Sequence, residues 1–327
     1  MHSVCIDDVA LFDVDRTRLL QVMHQLICMY ESRGIKVKMS KVVEPSCNGV
    51  DVFGVEVHGV HHTVGLSVKK LSKIVTATYA LLQQGYCTGR QLARVIGHWV
   101  WACLVRRECL SVFRCVYRFI EVAGDRVFSL WPSVRRELLT ILGLVPFLYT
   151  HVSARIAPVL TATDACPTGY GVVSSYADSD MLYSLTRTAA ASVPVALGQP
   201  GNLIDTYSLL SYIPQLIPIV YSRKWSTIIS SAYKHLQHIN TLEMHALLAA
   251  IRWVLSYPAC LDCRMVMLCD SQVVVQSLSK GRTSAPSIIR PLRKICSLLL
   301  AASINMSYIW CPSFLNPADG PSRAYSF

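Results

Sequence analysis

A chain of 327 residues that is 52% apolar and only 16% charged can bury a large core, so disorder is excluded and two or three domains are the prior. Its formal net charge of +11, from 31 Lys and Arg against 20 Asp and Glu, favours an anionic partner, of which nucleic acid is the commonest. The alternative is a merely solvated basic surface.

The charge is uneven. Residues 1–65 carry six basic and eight acidic side chains, residues 66–150 twelve and four, and residues 151–327 thirteen and eight. The middle third is therefore the expected contact surface for a phosphate backbone. The longest apolar run, residues 138 to 154, is interrupted by Pro146 and His151 and falls short of the roughly 20 residues of a membrane span. It reads as a buried helix and loop, and no membrane partner is expected. Thirteen cysteines are scattered, and Met1 leads straight into His2-Ser3-Val4-Cys5 with no secretory signal. Reduced, mostly buried thiols of an intracellular protein, cytoplasmic or nuclear, are the expectation. Cys260 and Cys263 form a lone C-x-x-C that reads as structural, since no second pair stands at zinc-site spacing.

In chain order, HSVCIDDVALF is apolar on both sides of Asp7 and Asp8 and predicts a hairpin with the acids at its tip. Leu19, Leu20, Met23, Leu26, Ile27 and Tyr30 recur at helical spacing, which predicts a helix over 15–32 with Gly34 as its stop. Residues 35–39 alternate like a strand, and VDVFGVEVHG reads as a strand pair. Residues 66–123 give two helices, the second starting at Thr88, a fair N-cap, and running to Gly124. On it Arg107, Arg114 and Arg118, spaced by seven and four, share one face. That face is either a phosphate-contacting surface or the solvated side of an ordinary amphipathic helix. Leu92, Val95, Ile96 and Trp99 form a stripe expected in the core, and residues 131–150 give one more helix and then a linker.

The stretch 158–174, PVLTATDACPTGYGVVS, reads as strand, tight turn and strand, with Asp164 near the end of the first. A carboxylate there is costly to desolvate unless it meets a cation or donors, although Asp164 alone reads first as a turn former. Residues 176–221 contain prolines and few charges and read as a loop-rich insertion with short strand pieces. Asn240-Thr241-Leu242-Glu243 opens a helix with Glu243 in its first turn, where the dipole favours an acid. Residues 264–269, RMVMLC, form a buried-type strand ending in Asp270, which by itself is the N-cap of a helix stopped by Gly281. A helix over 287–303 and a strand over 305–310 follow. Asn316 as cap and Pro317 at the first position then start a helix with Asp319 in its first turn.

Each acid has a local explanation, but four of the eight acids after residue 150 stand at strand ends or first helical turns. That placement lets them converge on one sheet edge. Clustered carboxylates repel one another and tend to require a cation, and oxygen ligands suit Mg²⁺ or Mn²⁺. Two such ions about 4 Å apart activate a water and stabilise the leaving oxygen of a phosphoryl displacement.

The succession T-D-A-x-x-x-G-Y-G, L-E-x-x-A-L, C-D-S and N-P-A-D-x-x-S-R resembles ribonuclease H. The resemblance implies Asp164, Glu243, Asp270 and Asp319 as the catalytic, metal-binding set. It also implies two Mg²⁺ ions, with Mn²⁺ as substitute, and the RNA strand of an RNA·DNA hybrid as substrate. Ahead of it, Asp7 and Asp8 in a strand turn, RGIKVKMSK and VFGVEV resemble the back half of a reverse transcriptase palm. This implies Asp7 and Asp8 as a polymerase metal-site remnant, with Lys41 near the incoming nucleotide. LARVIGHW resembles the thumb or connection that borders the template–primer duplex.

The joined arrangement looks like a retrotransposon polyprotein truncated within the palm, closest to DIRS-like elements and their trypanosomatid relatives, then gypsy-like and hepadnaviral enzymes. The implied fold class is α/β. A ribonuclease H-like mixed sheet with flanking helices over 151–327 is preceded by a helical thumb/connection over 66–150 and a partial reverse transcriptase palm over 1–65. A two-metal-ion endonuclease is expected, without polymerase activity from this chain alone, and a missing upstream part of the polymerase is an expected partner. The alternative is a catalytically silent remnant that binds the nucleic acid backbone through its basic thumb.

Overall fold

A computed structural model describes residues 2–5, 8–192 and 213–325; Asp7 lies outside the described residues. The predicted hairpin pairs β1 (His2–Cys5) with β2 (Asp8–Leu11), Cys5 opposite Asp8. Asp15 caps α1 (Arg16–Ser32) by accepting from the amides of Thr17 at 2.8 Å and Arg18 at 3.2 Å, and Gly34 lies just beyond in the left-handed region, φ 75°. Residues 35–38 form no strand, contrary to the alternation. A strand needs a partner, and none of the described strands pairs with this stretch; Ile35 stays 53% exposed. Lys41 is exposed at the end of the 3-10 turn Met39–Lys41. The next pair, β3 (Val50–Val52) and β4 (Val55–His58), turns through Phe53 and Gly54, both with positive φ as a two-residue hairpin requires. β5 (Thr63–Gly65) extends it.

Two helices, α2 (Val68–Gln84) and α3 (Gly89–Cys103), flank β6 (Tyr86–Thr88). Thr88 caps α3 in a full capping box: its hydroxyl accepts from the Gln91 amide at 3.1 Å, and the Gln91 side chain accepts from the Thr88 amide at 2.9 Å. Leu92, Ile96 and Trp99 are buried as expected, and the Trp99 indole donates to the Thr78 hydroxyl at 2.8 Å.

The helix does not run on to Gly124. It ends at Cys103, gives way to a 3-10 stretch at Arg107–Val112, and restarts as α4 (Cys115–Ala123). Two buried charges impose the break. Arg106, 5% exposed, reaches the Asn305 side chain and the Ile304 carbonyl. Glu137, 7% exposed, accepts from the amides of Arg114, Cys115 and Val116 at 2.9–3.0 Å, satisfying the donors that a new helix start leaves open. Arg107, Arg114 and Arg118 are exposed, but they do not share one face of a continuous helix. Only Arg114, at the cap, and Arg118 keep helical spacing, while Arg107 donates to the Ser279 carbonyl at 3.3 Å.

β7 (Val127–Ser129) pairs with β6, α5 (Pro132–Gly143) carries Glu137, and β8 (Tyr149–His151) joins β5 to complete a four-stranded antiparallel sheet.

The rest of the chain builds a second sheet. Its elements are β9 (Ile156–Ala165), β10 (Gly169–Tyr176), α6 (Ser179–Ser192), α7 (Ile213–Tyr221), β11 (Ser226–Ala232) and α8 (Ile239–Val254). They continue with β12 (Arg264–Cys269), α9 (Gln272–Lys280), α10 (Ile289–Ala301), β13 (Asn305–Trp310) and α11 (Asp319–Arg323). The strand order is β11-β10-β9-β12-β13, antiparallel from β11 to β9 and parallel from β9 to β13. This is the mixed sheet with flanking helices that was expected.

Where strand pieces were expected over 176–221, the described residues form α6 and α7; 193–212 lie outside the described residues. Leu182 and Leu185, then Leu216 and Val220, recur at helical spacing and bury themselves on one face of the sheet. Alternation along β12 feeds both layers. Val266 and Leu268 join that α6–α7 face, and Met265, Met267 and Cys269 join the core under α8, α9 and α10.

The helical module docks on this sheet domain through the 107–112 stretch. Arg293 of α10 donates to the carbonyls of Ser111 at 2.8 Å and Val112 at 2.7 Å. Gly281, φ 63°, ends α9 with so little room that a Cβ would stand 1.8 Å from the Arg107 carbonyl oxygen. Gly281→Ala is expected to cost about 2 kcal/mol or more in a urea titration, from left-handed strain plus the clash. A loss under about 0.5 kcal/mol would mean that the 107–112 stretch yields freely.

Among the described residues no helix is long and apolar enough to cross a membrane. Cys260 and Cys263 are buried, and the Cys263 thiol donates to the Cys260 carbonyl at 3.0 Å.

Candidate active site

Asp164 is the ninth residue of β9, and register decides its neighbour. Thr163 pairs with Cys269 across parallel β9 and β12, so Asp164 and Asp270, one step further along each strand, stand side by side. They lie at the carboxyl ends of the strands, where open α/β sheets form ligand sites. Ser271, not Asp270, is the N-cap of α9, so capping does not account for Asp270. Its backbone carbonyl accepts from the Trp310 indole at 2.7 Å, and its carboxylate accepts from the Ser313 hydroxyl at 2.8 Å.

Glu243 is not in the first turn. α8 starts at Ile239, capped by His238, which makes Glu243 its fifth residue and carries it under the sheet edge. It is 5% exposed, and its Oε2 has no hydrogen-bond partner. One carboxylate oxygen each from Glu243 and Asp270, and the Cys269 sulfur, lie within 4.8 Å of one another.

Asp319 opens α11, two residues later than the expected start at Pro317. Asn316 does more than cap: its oxygen accepts from the Ala318 amide at 3.1 Å, as a cap would, while its amide donates to the Thr163 carbonyl at 3.0 Å and to Asp164 Oδ1 at 3.4 Å. The Ser322 hydroxyl bonds the other Asp164 oxygen, and Arg323 pairs with Asp319 at 2.8 Å. This close approach explains the G-Y-G: Gly171 lies opposite Asp164, and a Cβ there would stand 2.7 Å from the Ala318 carbonyl and 2.8 Å from the Ser322 amide.

The structure thus gathers Asp164, Glu243 and Asp270 and sets Asp319 near enough for its charge to act on Asp164. Burial, with the charges of Asp270 and Asp319 adding to it, pushes Asp164 up to about 7 despite the Ser322 hydrogen bond. Burial and then the charges of Asp270 and Asp164 push Glu243 up to about 9. Sequence reasoning missed the carboxylate holders Asn316, Ser322 and Ser313. The first two stand inside N-P-A-D-x-x-S-R; nothing in the sequence marks Ser313.

No protein-family model matches this chain, and no curated protein does. Among solved structures it is similar to a foamy viral protease-reverse transcriptase in complex with double-stranded DNA, at 14% identity and TM-score 0.40, over 94% of this chain and 45% of that one. It is also similar to LC11-RNase H1, isolated from compost by a metagenomic approach, at 16% identity and TM-score 0.32, over 50% of this chain and 92% of that one. A third is the N-terminal RNase H domain of rv2228c from Mycobacterium tuberculosis, at 16% identity and TM-score 0.31, over 53% of this chain and 97% of that one. The chain spans about half the length of the foamy viral chains. The fold class is α/β, a mixed five-stranded sheet with helices on both faces.

The raised carboxyls set a pH dependence. A carboxyl that titrates higher in the folded state holds a proton that the unfolded chain has already released, so folding weakens as pH rises from about 4 toward 9. In chelator, wild type is expected to melt at lower temperature at pH 8 than at pH 5. Glu243→Gln should shrink that difference. An equal difference in the two proteins would separate Glu243 from the effect.

Proposed function

We propose that this chain is a divalent-metal-dependent endonuclease that cleaves the RNA strand of an RNA·DNA hybrid, as the ribonuclease H part of a retrotransposon polyprotein. The observation that carries the reading is the convergence of Asp164, Glu243 and Asp270 at the ends of β9 and β12, with Asp319 beside them and Glu243 Oε2 buried without a partner. Buried acids of like charge are costly alone, and a cation supplies what they lack. The oxygen donors fit Mg²⁺ or Mn²⁺, which Asp164, Glu243, Asp270 and Asp319 would hold. A metal held there would supply an activated water and stabilisation of the leaving oxygen of a phosphodiester.

The chain's own groups fix the geometry. Asn316 and Ser322 hold the two oxygens of Asp164, Ser313 orients Asp270, and Arg323 steadies Asp319. By the same reading the basic helical module borders the duplex, and residues 1–65 derive from a polymerase palm. Replacing exposed Arg114 and Arg118 with Ala is expected to weaken hybrid binding and to lower the slope of log K against log salt by about 0.9 for each phosphate no longer neutralised. An unchanged slope would take α4 out of the interface.

The direct test is incubation of the chain with an end-labelled hybrid and Mg²⁺ or Mn²⁺. Shortened RNA and intact DNA are expected. Salt-sensitive binding without cleavage in either metal would leave a silent nucleic-acid-binding protein.

A further inference from the structure

Cys269 is fully buried at the end of β12, and the nuclease reading gives its thiol nothing to do. It lies on the α8 side of the sheet, the side from which Glu243 arrives. Its sulfur, a Glu243 oxygen and an Asp270 oxygen lie within 4.8 Å of one another. Glu243 Oε2, in a residue only 5% exposed, has no partner. Oxygen donors alone select hard cations, and a thiolate among them changes the choice toward softer ones.

We propose that Glu243, Cys269 and Asp270 form a site for a thiophilic divalent cation, Zn²⁺ or its probe Cd²⁺, which shares two members with the four-carboxylate set. Zinc bonds sulfur at about 2.3 Å and carboxylate oxygen at about 2.1 Å, so its ligand atoms stand roughly 3.5 Å apart. The cluster needs to tighten by only about 1 Å to match. As the metal–sulfur bond forms, the S–H bond breaks and its proton passes to the buffer, together with any proton that the Glu243 carboxyl still holds. Three protein ligands leave a fourth position for water. Because Glu243 and Asp270 are shared, zinc displaces hard cations and suppresses cleavage. That consequence rests on the nuclease reading; the site does not.

The test titrates CdCl₂ into the full chain carrying Cys28→Ser and Cys47→Ser, which removes the two exposed thiols among the described cysteines. An ultraviolet cadmium–thiolate band that saturates at one equivalent is expected. Cys269→Ser and, independently in case that variant folds poorly, Glu243→Gln should each weaken Cd²⁺ binding at least about tenfold. A band of undiminished strength and affinity in both variants would overturn the proposal. In the cleavage assay, Zn²⁺ added to Mg²⁺ is expected to cut the rate of the wild type at least about tenfold, and the ratio of rates with and without zinc should return toward one in Cys269→Ser. Equal zinc inhibition of both proteins would overturn the regulatory consequence. Cys269-dependent Cd²⁺ binding by a chain that never cuts a hybrid would uphold the site and remove the nuclease reading instead.

Discussion

Asp270→Asn is expected to lose at least about a hundredfold in the rate of Mg²⁺-dependent cleavage of the RNA strand, the usual cost of removing one preorganised electrostatic interaction. The substitution keeps the shape of the side chain. The Trp310 indole still finds the backbone carbonyl at position 270, and the Ser313 hydroxyl still finds an acceptor oxygen. Only the charge that balances a cation is gone, so hybrid binding and the circular dichroism spectrum should be preserved. In chelator the variant should melt no lower than wild type, because it removes one of the charges that bear on Asp164 and Glu243. Asp262→Asn is the matched control: Asp262 is exposed in a turn at φ 49°, a conformation Asn tolerates, and this variant should cut normally. Cleavage by Asp270→Asn within about twofold of wild type would mean that the four carboxylates are not the active site.

Glu137→Ala should be the most damaging substitution for stability, at about 3–5 kcal/mol, because it strands several buried donors at once. The amides of Arg114, Cys115 and Val116 lose their acceptor, and Arg293, which donates to the same carboxylate at 3.2 Å, loses its counter-charge. Glu137→Gln, which keeps one acceptor oxygen, should fall between this and wild type. Glu121→Ala, on the exposed side of α4, should stay within about 0.5 kcal/mol of wild type. Urea titration measures all three. A loss under about 1 kcal/mol for Glu137→Ala would mean that water caps α4 as well as the carboxylate does. Since Glu137 and Arg293 join the helical module to the sheet domain, the variant should also weaken hybrid binding if the module borders the duplex.

Local chemistry was enough to read much of this protein from its sequence. Thr88 caps the helix it was expected to cap, α1 covers the stretch that helical spacing marked, and the burial of Leu92, Ile96 and Trp99 follows from the same spacing. The strand pair around Asp164 and the buried strand before Asp270 followed from apolar runs bounded by turn residues. Tertiary structure decided what depends on distant partners. Residues 35–38 alternate correctly yet form no strand, because pairing is a property of two segments. The helix after Thr88 breaks because Arg106 is drawn to Asn305, 199 residues away, and because Glu137 caps a new helix start. Glu243 looked like a dipole-stabilised first-turn acid until the start of α8 at Ile239 carried it into the interior beside Asp270. Spacing along a chain sets which face a residue takes. How deeply a charge is buried, and which donors reach it, is set by the segments folded over it.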